Sequence, residues 1–182
     1  IEEFTPTGIH LKSGRTIAAD IVVSATGLEL VPLGGVTFSV DGQPWEPGRS
    51  ITYKGMMFKD VPNLAQATGY TNASWTLKCD LTSLYVCRLI NHMERHGYRF
   101  CTPHNDDPDL TELPFVDFSS GYIQRAIDKF PKQGSKAPWK LYQNYARDIV
   151  SLRFGAVEDG VMRFTGASAS VPVGASGTVP GS

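Results

Sequence analysis

Two stretches of this chain run apolar and then end in small residues, the pattern that lets a ligand approach a backbone closely. The first is Asp20-Ile21-Val22-Val23-Ser24-Ala25-Thr26-Gly27. Its β-branched centre is apolar on both faces, which predicts a strand within a parallel sheet. Beyond it, Ala25, Thr26 and Gly27 leave room for a second backbone or a nucleotide, and open α/β sheets bind ligands beyond the carboxyl ends of their strands. The second stretch, Asn63 to Gly69, repeats this logic and leads through a polar turn, Tyr70 to Trp75, into a long helical pattern. The first turn of a helix has N–H groups without partners inside the helix, and these can hold an anion or a polarised carbonyl. Strand–glycine exits also occur with no ligand in many α/β folds, so spacing alone leaves both readings open.

Other chemistry finds less support. His92 and His96 stand i, i+4 on a predicted helix, a spacing that can chelate a metal, but the order is not His-Glu-x-x-His and no third ligand is evident, so the expectation is a solvated face and no metal. Asp106, Asp107 and Asp109 lack the spacing, glycine and closing glutamate of a calcium loop. Ser24 and Ser74 lack a Gly-x-Ser-x-Gly elbow. Cys79, Cys87 and Cys101 form no Cys-x-x-Cys. On one helix, Cys79 and Cys87 would stand ~12 Å apart, too far for a disulfide, and a reducing, cytoplasmic setting follows.

The elements that would position these residues can be read from periodicity and punctuation. Ile1 to Phe4 and Gly8 to Leu11 read as strands, with turns at Thr5 to Gly8 and Lys12 to Arg15. Val36 to Val40 alternates, and Asp41-Gly42 signals a hairpin. Thr76 to His96 is the clearest helix: Leu77, Leu81, Leu84, Tyr85, Leu89 and Met93 recur at helical spacing, with Val86 and Ile90 widening the stripe and Gly97 as its C-cap. Cys101 to Pro114 reads as a polar loop. Ser119 to Phe130 reads as a second helix capped by Ser119 or Ser120, Pro131 to Pro138 as a linker, and Trp139 to Ala146 as a short helix. Ile149 to Phe154 and Val161 to Phe164 form an expected closing hairpin, and residues 165–182 an expected disordered tail.

Bulk properties agree with an ordinary globular chain. Of 182 residues, 41% are hydrophobic and 19% charged, and the formal net charge is −1. Without concentrated positive charge, nucleic acid is not the expected partner, nor is an anionic membrane surface. No run approaches the ~20 apolar residues of a transmembrane helix. The chain opens on Ile1-Glu2-Glu3-Phe4, already patterned like a strand, which suggests a piece whose amino-terminal part is missing.

Asp20 to Gly27 resembles the Asp/Gly-x-x-x-Ala-Thr-Gly motif of flavin-containing and Baeyer–Villiger monooxygenases. Tyr53-Lys54-Gly55-Met56-Met57, Val61 to Leu64 and Gly69 to Lys78 are similar to the ethionamide-activating subgroup of that family. Trp139 to Tyr145 and Leu152 to Gly155 extend the likeness over most of residues 1–165. The resemblance implies an α/β flavoprotein with two Rossmann-like dinucleotide-binding domains, one for FAD and one for NADPH, of which this chain is an incomplete carboxyl-terminal portion. Residues 1–26 would end the NADPH-binding domain, 27–97 would complete the FAD-binding domain and 98–164 would form a carboxyl-terminal lobe. NADPH would reduce the flavin, and a peroxyflavin formed with O2 would insert oxygen beside a ketone or oxidise a sulfide or thioamide. The cofactor carries such chemistry while the protein positions it and excludes water.

Carried over position by position, Thr26 and Gly27 match the hinge and flavin approach. Thr71, Asn72, Leu77 and Lys78 match the turn and helix start beside the flavin ring, where the N–H groups of Leu77 and Lys78 would act. Trp139 and Asn144 resemble a Trp-x-x-x-x-Asn pattern near NADP, although Tyr142 stands where relatives often carry Gly, and an aromatic core anchor is the competing reading of Trp139. No Gly-x-Gly-x-x-Gly occurs, nor the family's phenylalanine–glycine–histidine fingerprint. The catalytic arginine belongs upstream, since no motif qualifies Arg49, Arg125 or Arg153, and catalytic residues within this chain stay unknown. The chain is therefore expected to be inactive without the missing amino-terminal part. The alternative is a non-catalytic structural or interaction fragment without nucleotide binding.

Overall fold

The computed structural model describes residues 1–115 and 121–166, the side chain of Tyr122 excepted. It is α/β, with short antiparallel sheets around one long helix. Strands β1 (Glu3–Thr5), β2 (Gly8–His10) and β3 (Thr16–Ala18) form a meander in that order. Gly8 permits it: at φ 153° it passes so close to β3 that a Cβ would lie 2.0 Å from the Ile17 carbonyl oxygen.

The expected parallel strand at Asp20 to Ala25 is not formed. Residues 21–31 have no regular structure, and Ile21 and Val23 are 83% and 85% exposed. A parallel strand is held by neighbours that take up its slanted hydrogen bonds, and among the described residues no strand pairs with this one. β-branched side chains do not make a strand without such a surface.

The Asp41-Gly42 hairpin is present as β4 (Phe38–Val40) and β5 (Gln43–Trp45). Asp41 at φ 50° and Gly42 at φ 77° supply the two positive φ angles of a type I′ turn. Trp45 stacks edge-on to Phe58 at 4.8 Å and so anchors the hairpin to the main body. There, β6 (Thr52–Tyr53) and β7 (Met57–Phe58) form a tight hairpin around Lys54 and Gly55. Tyr53, Met56, Met57 and Phe58 are at most 1% exposed, and each such burial contributes roughly 1.5–3 kcal/mol relative to an exposed side chain. The strand expected at Asn63 to Gly69 reduces to one bridge, Ala65 with Met57.

Helix α1 (Trp75–His96) follows, one residue longer than its periodicity predicts. Its buried positions are Lys78, Leu81, Thr82, Tyr85 and Leu89, a narrower stripe than the sequence suggests, with Leu84 and Ile90 left exposed. Gly97 ends the helix at φ 70° and donates its N–H to the Glu94 carbonyl.

From here the structure departs from the sequence reading. The expected loop at Cys101 to Pro114 contains the second half of β8 (Tyr98–Pro103) and all of β9 (Glu112–Pro114). The helix expected over 119–130 begins outside the described residues, and within them it is α2 (Gly121–Gln124) and a separate 3₁₀ turn, Ile127–Lys129. The expected linker holds β10 (Lys132–Gly134), paired with β9. Only α3 (Tyr145–Asp148) represents the helix predicted from Trp139. The closing hairpin does not form. Ile149–Phe154 winds on from α3 as a π turn with Leu152 as its buried residue, while Arg88 donates to the Leu152 and Gly155 carbonyls at 2.7 and 2.6 Å. Strand β11 (Met162–Gly166) pairs with β8 instead. It takes in Thr165 and Gly166; the rest of the expected tail lies outside the described residues. Leu152 and Met162 complete a core with Tyr53, Leu81, Tyr85 and Trp139.

Candidate functional site

A charged residue on the buried stripe of a helix demands a partner. Lys78, at 6% exposure one turn into α1, finds it in Asp148, the last residue of α3. Its Nζ lies 2.8 Å from Asp148 Oδ2, and the Tyr70 hydroxyl donates to the same oxygen at 2.6 Å. Burial, then the bond to Asp148, pushes the Tyr70 phenol up, so it stays a donor.

A second buried cation, Lys54, sits at the positive-φ turn between β6 and β7. Its Nζ lies 3.1 Å from Asp159 Oδ2, which also accepts from the Tyr53 hydroxyl at 2.5 Å; Tyr53 and Tyr85 meet oxygen to oxygen at 2.9 Å. Burial pulls Lys54 down and Asp159 opposes it. Burial alone would raise Asp159, but the Tyr53 hydrogen bond and the Lys54 charge hold it below the ordinary carboxylate range. Burial pushes Tyr85 up to about 12 and Tyr53 further. The network is thus neutral phenols around one lysine–carboxylate pair. It can fix a geometry and donate hydrogen bonds, and its phenols are not activated nucleophiles.

Both lysines line a cleft of about 500 Å³, walled by Gly69 and Tyr70 on one side and by Pro138, Lys140 to Gln143, Asp148 and Val150 to Leu152 on the other. The entrance to α1 lies beside it. Ser74 precedes the helix without capping it, because its hydroxyl meets Thr76 Oγ1 at 2.8 Å instead. No side chain therefore caps the first turn, which contains Leu77. The turn before it is fastened across the cleft: the Thr71 N–H donates to Gln143 Oε1 at 3.1 Å, and Asn72 Nδ2 to the Gln143 carbonyl at 3.0 Å.

Of the residues singled out by sequence, the structure gathers Thr71, Asn72, Leu77 and Lys78 at this entrance, with Lys78 in the cleft wall. Trp139 is 2% exposed and edge-on to Tyr53 at 5.8 Å, so it is the core anchor behind Pro138 and Lys140. Asn144 caps α3, accepting from the Arg147 N–H at 3.1 Å. Thr26 and Gly27 are exposed and do not line the cleft; the Thr26 carbonyl accepts from Arg125 at 3.3 Å. Sequence reading passed over Lys54, Tyr70, Gln143, Asp148 and Asp159. Their one advance signal is Lys78 itself, a cation inside an apolar stripe. Nothing local in the sequence says which carboxylate answers it.

The geometry describes a hollow beside an open helix start, and sequence comparison supplies its class. Homologues that match nearly the whole of this chain are named FAD-containing or FAD-binding monooxygenases. It is 49% identical over 174 residues to the FAD-containing monooxygenase EthA of Mycobacterium tuberculosis, covering 96% of this chain and 35% of that protein. The probable FAD-binding monooxygenase AlmA of Acinetobacter baylyi is 50% identical over 165 residues, 90% of this chain and 33% of AlmA. The putative FAD-containing monooxygenase MymA of Mycobacterium tuberculosis is 46% identical over 169 residues, 92% of this chain and 34% of MymA. The chain thus spans about a third of the length of the curated relatives it matches. No family model matches it, and no solved structure does. Among the described residues no helix is long and apolar enough to cross a membrane.

Proposed function

We propose that this chain supplies the carboxyl-terminal part of an FAD- and NADPH-dependent monooxygenase of the Baeyer–Villiger type, and that its cleft is the protein's side of the flavin site. The uncapped first turn of α1, opening beside a hollow walled by Lys54 and by the Lys78–Asp148 pair, carries this reading. Bound there, FAD would supply the redox chemistry that transfers one atom of O2 to a ketone, sulfide or thioamide. The chain's own groups do the rest. The Leu77 N–H, which has no partner inside the helix, would face a carbonyl that gains negative charge on reduction, whereas the Lys78 N–H is taken by the Ser74 carbonyl as the first bond of α1. Lys78 adds positive potential, and Asp148 keeps it from collapsing into the cleft. Gln143 holds Thr71 and Asn72 in register with the helix start. Trp139 acts beside NADPH by backing the Pro138–Lys140 wall, and Asn144 by fixing α3.

In this reading residues 1–26 end an NADPH-binding domain, 27–97 complete a Rossmann-like FAD-binding domain and 98–164 form a carboxyl-terminal lobe, with Thr26 and Gly27 at the crossing. The pyrophosphate loops come from an amino-terminal part, since this chain contains no Gly-x-Gly-x-x-Gly.

Proline is tolerated in the first turn of a helix, so Leu77→Pro removes one N–H and leaves α1 standing. In the intact enzyme it is expected to weaken FAD retention by ~10–100-fold, the value of one hydrogen bond to a charged group, measured as bound flavin per protein after dialysis. Retained flavin and unchanged turnover would rule out that role. The chain by itself is expected to be colourless and to oxidise no NADPH; stoichiometric FAD on it would contradict the division of labour.

A further inference from the structure

At the other end of α1, roughly 20 Å along the axis from Lys78, His92 and His96 gain the third partner that the sequence did not reveal. The turn before β11 brings Glu158 over the last turns of the helix. One ligand atom from each of His92, His96 and Glu158 lies within 4.8 Å of the others. We infer that these three side chains form a divalent transition-metal site of the Zn²⁺ type.

The orientation of the rings supports this. His96 Nδ1 stands 2.8 Å from the His92 carbonyl. A carbonyl can only accept, so Nδ1 carries the proton and Nε2 keeps its lone pair, the arrangement that outer partners impose on metal-binding imidazoles. The His96 ring is held by stacking on Tyr98 at 5.6 Å and 12°. His92 is wedged against Phe164, centroids 5.1 Å apart. Its Nε2 is buried and lies 2.9 Å from Glu158 Oε1, yet too poorly aligned to form a hydrogen bond. That nitrogen lies beside a carboxylate without bonding to it, as two ligands of one ion do.

Two histidines and a carboxylate are a donor set for zinc, cobalt or nickel, with water at the remaining position. Tetrahedral zinc ligands at ~2.0–2.1 Å stand about 3.4 Å apart, so His92 Nε2 and Glu158 Oε1 at 2.9 Å must open slightly, and any separation near the 4.8 Å limit must close by roughly an ångström. His96 and Glu158 are exposed and can do so. Arg88 and Arg95 line the same hollow, but each is turned to main-chain carbonyls: Arg88 to Leu152 and Gly155, Arg95 to Asn91. The turn that presents Glu158 is already ordered, because Asp159 Oδ1 accepts from the Val161 and Met162 N–H groups. A metal there would pin the turn that carries Asp159, and hence the Tyr53–Lys54 network, to the end of α1.

The test is a Zn²⁺ titration of the intact, metal-free protein against a chromophoric chelator, with Co²⁺ absorption reporting the ligand field. One ion per chain, low-micromolar affinity, a rise in Tm and visible low-coordinate Co²⁺ bands are expected. His96→Gln and Glu158→Gln, both at exposed positions, should each weaken binding at least about tenfold and abolish the Co²⁺ bands. Absence of saturable Zn²⁺ binding would overturn the site. So would Glu158→Gln binding like the parent protein, which would reduce the site to a bare histidine pair. If either variant unfolds, the parent titration and Co²⁺ spectrum still decide.

Discussion

Residues 1–49 and residues 50–115 are built on opposite principles. The first region is a set of local hairpins in which Gly8 alone is buried; in the second, Ser50 to Phe58 are all buried and lead into the helix that centres the core. Both have similar apolar content, and Ile21-Val22-Val23 is as β-branched as any stretch in the chain. The contrast teaches that hydrophobic pattern states a demand for burial, and only a partner surface within reach grants it. Residues 51–58 find one in α1, Trp139 and Leu152. Residues 21–31 find none among the described residues.

The largest effect should come from breaking the packed side. Trp139→Ala removes a ring that Tyr53 packs against edge-on, and is expected to cost about 3–5 kcal/mol in chemical unfolding. Its counterpart, Val23→Ser, should stay within about 0.5 kcal/mol. A comparable loss at Val23 would show that the two regions share one core. Next comes Lys78→Met, which leaves the half-buried Asp148 with only Tyr70 and is expected to cost up to about 3 kcal/mol. Adding Asp148→Leu should recover part of this in a double-mutant cycle; strict additivity would show that the two charges act independently.

The smallest effect is confined to alkaline solution. Tyr85 has its folded value raised from 10.0 to about 12. Its contribution is therefore complete below pH 10 and is lost as pH rises toward 12. Tyr85→Phe should flatten that part of the unfolding profile, and an unaltered alkaline limb would deny the buried phenol. Residues 1–49 have no counterpart, since their tyrosines number zero.

How much of this was legible in advance follows from the range of the forces. The Asp41-Gly42 hairpin, α1 and its Gly97 cap depend on neighbours within a few residues, and they stand where residue type places them. The β8–β11 pair and the Lys78–Asp148 and Lys54–Asp159 contacts join positions far apart in the chain. There the local pattern misled: Ile149–Phe154 alternates like a strand but turns as a helix around a single buried Leu152. Within the site, the helix entrance could be read from Thr71 to Lys78, whereas the carboxylates that set its charge could not. The third companion of the two histidines was hidden for the same reason.

The pairing of β8 with β11 also governs the order of events on the ribosome. Phe164 meets Cys101, and Met162 meets Pro103, across about sixty residues of intervening chain. Helix α1 can wind as soon as it leaves the tunnel, but the side chains that cover it, Leu152 and Met162, are made last. Until they arrive, the apolar stripe of α1 is open to chaperones and to other nascent chains. A chain interrupted before Met162 therefore carries a helix without its lid.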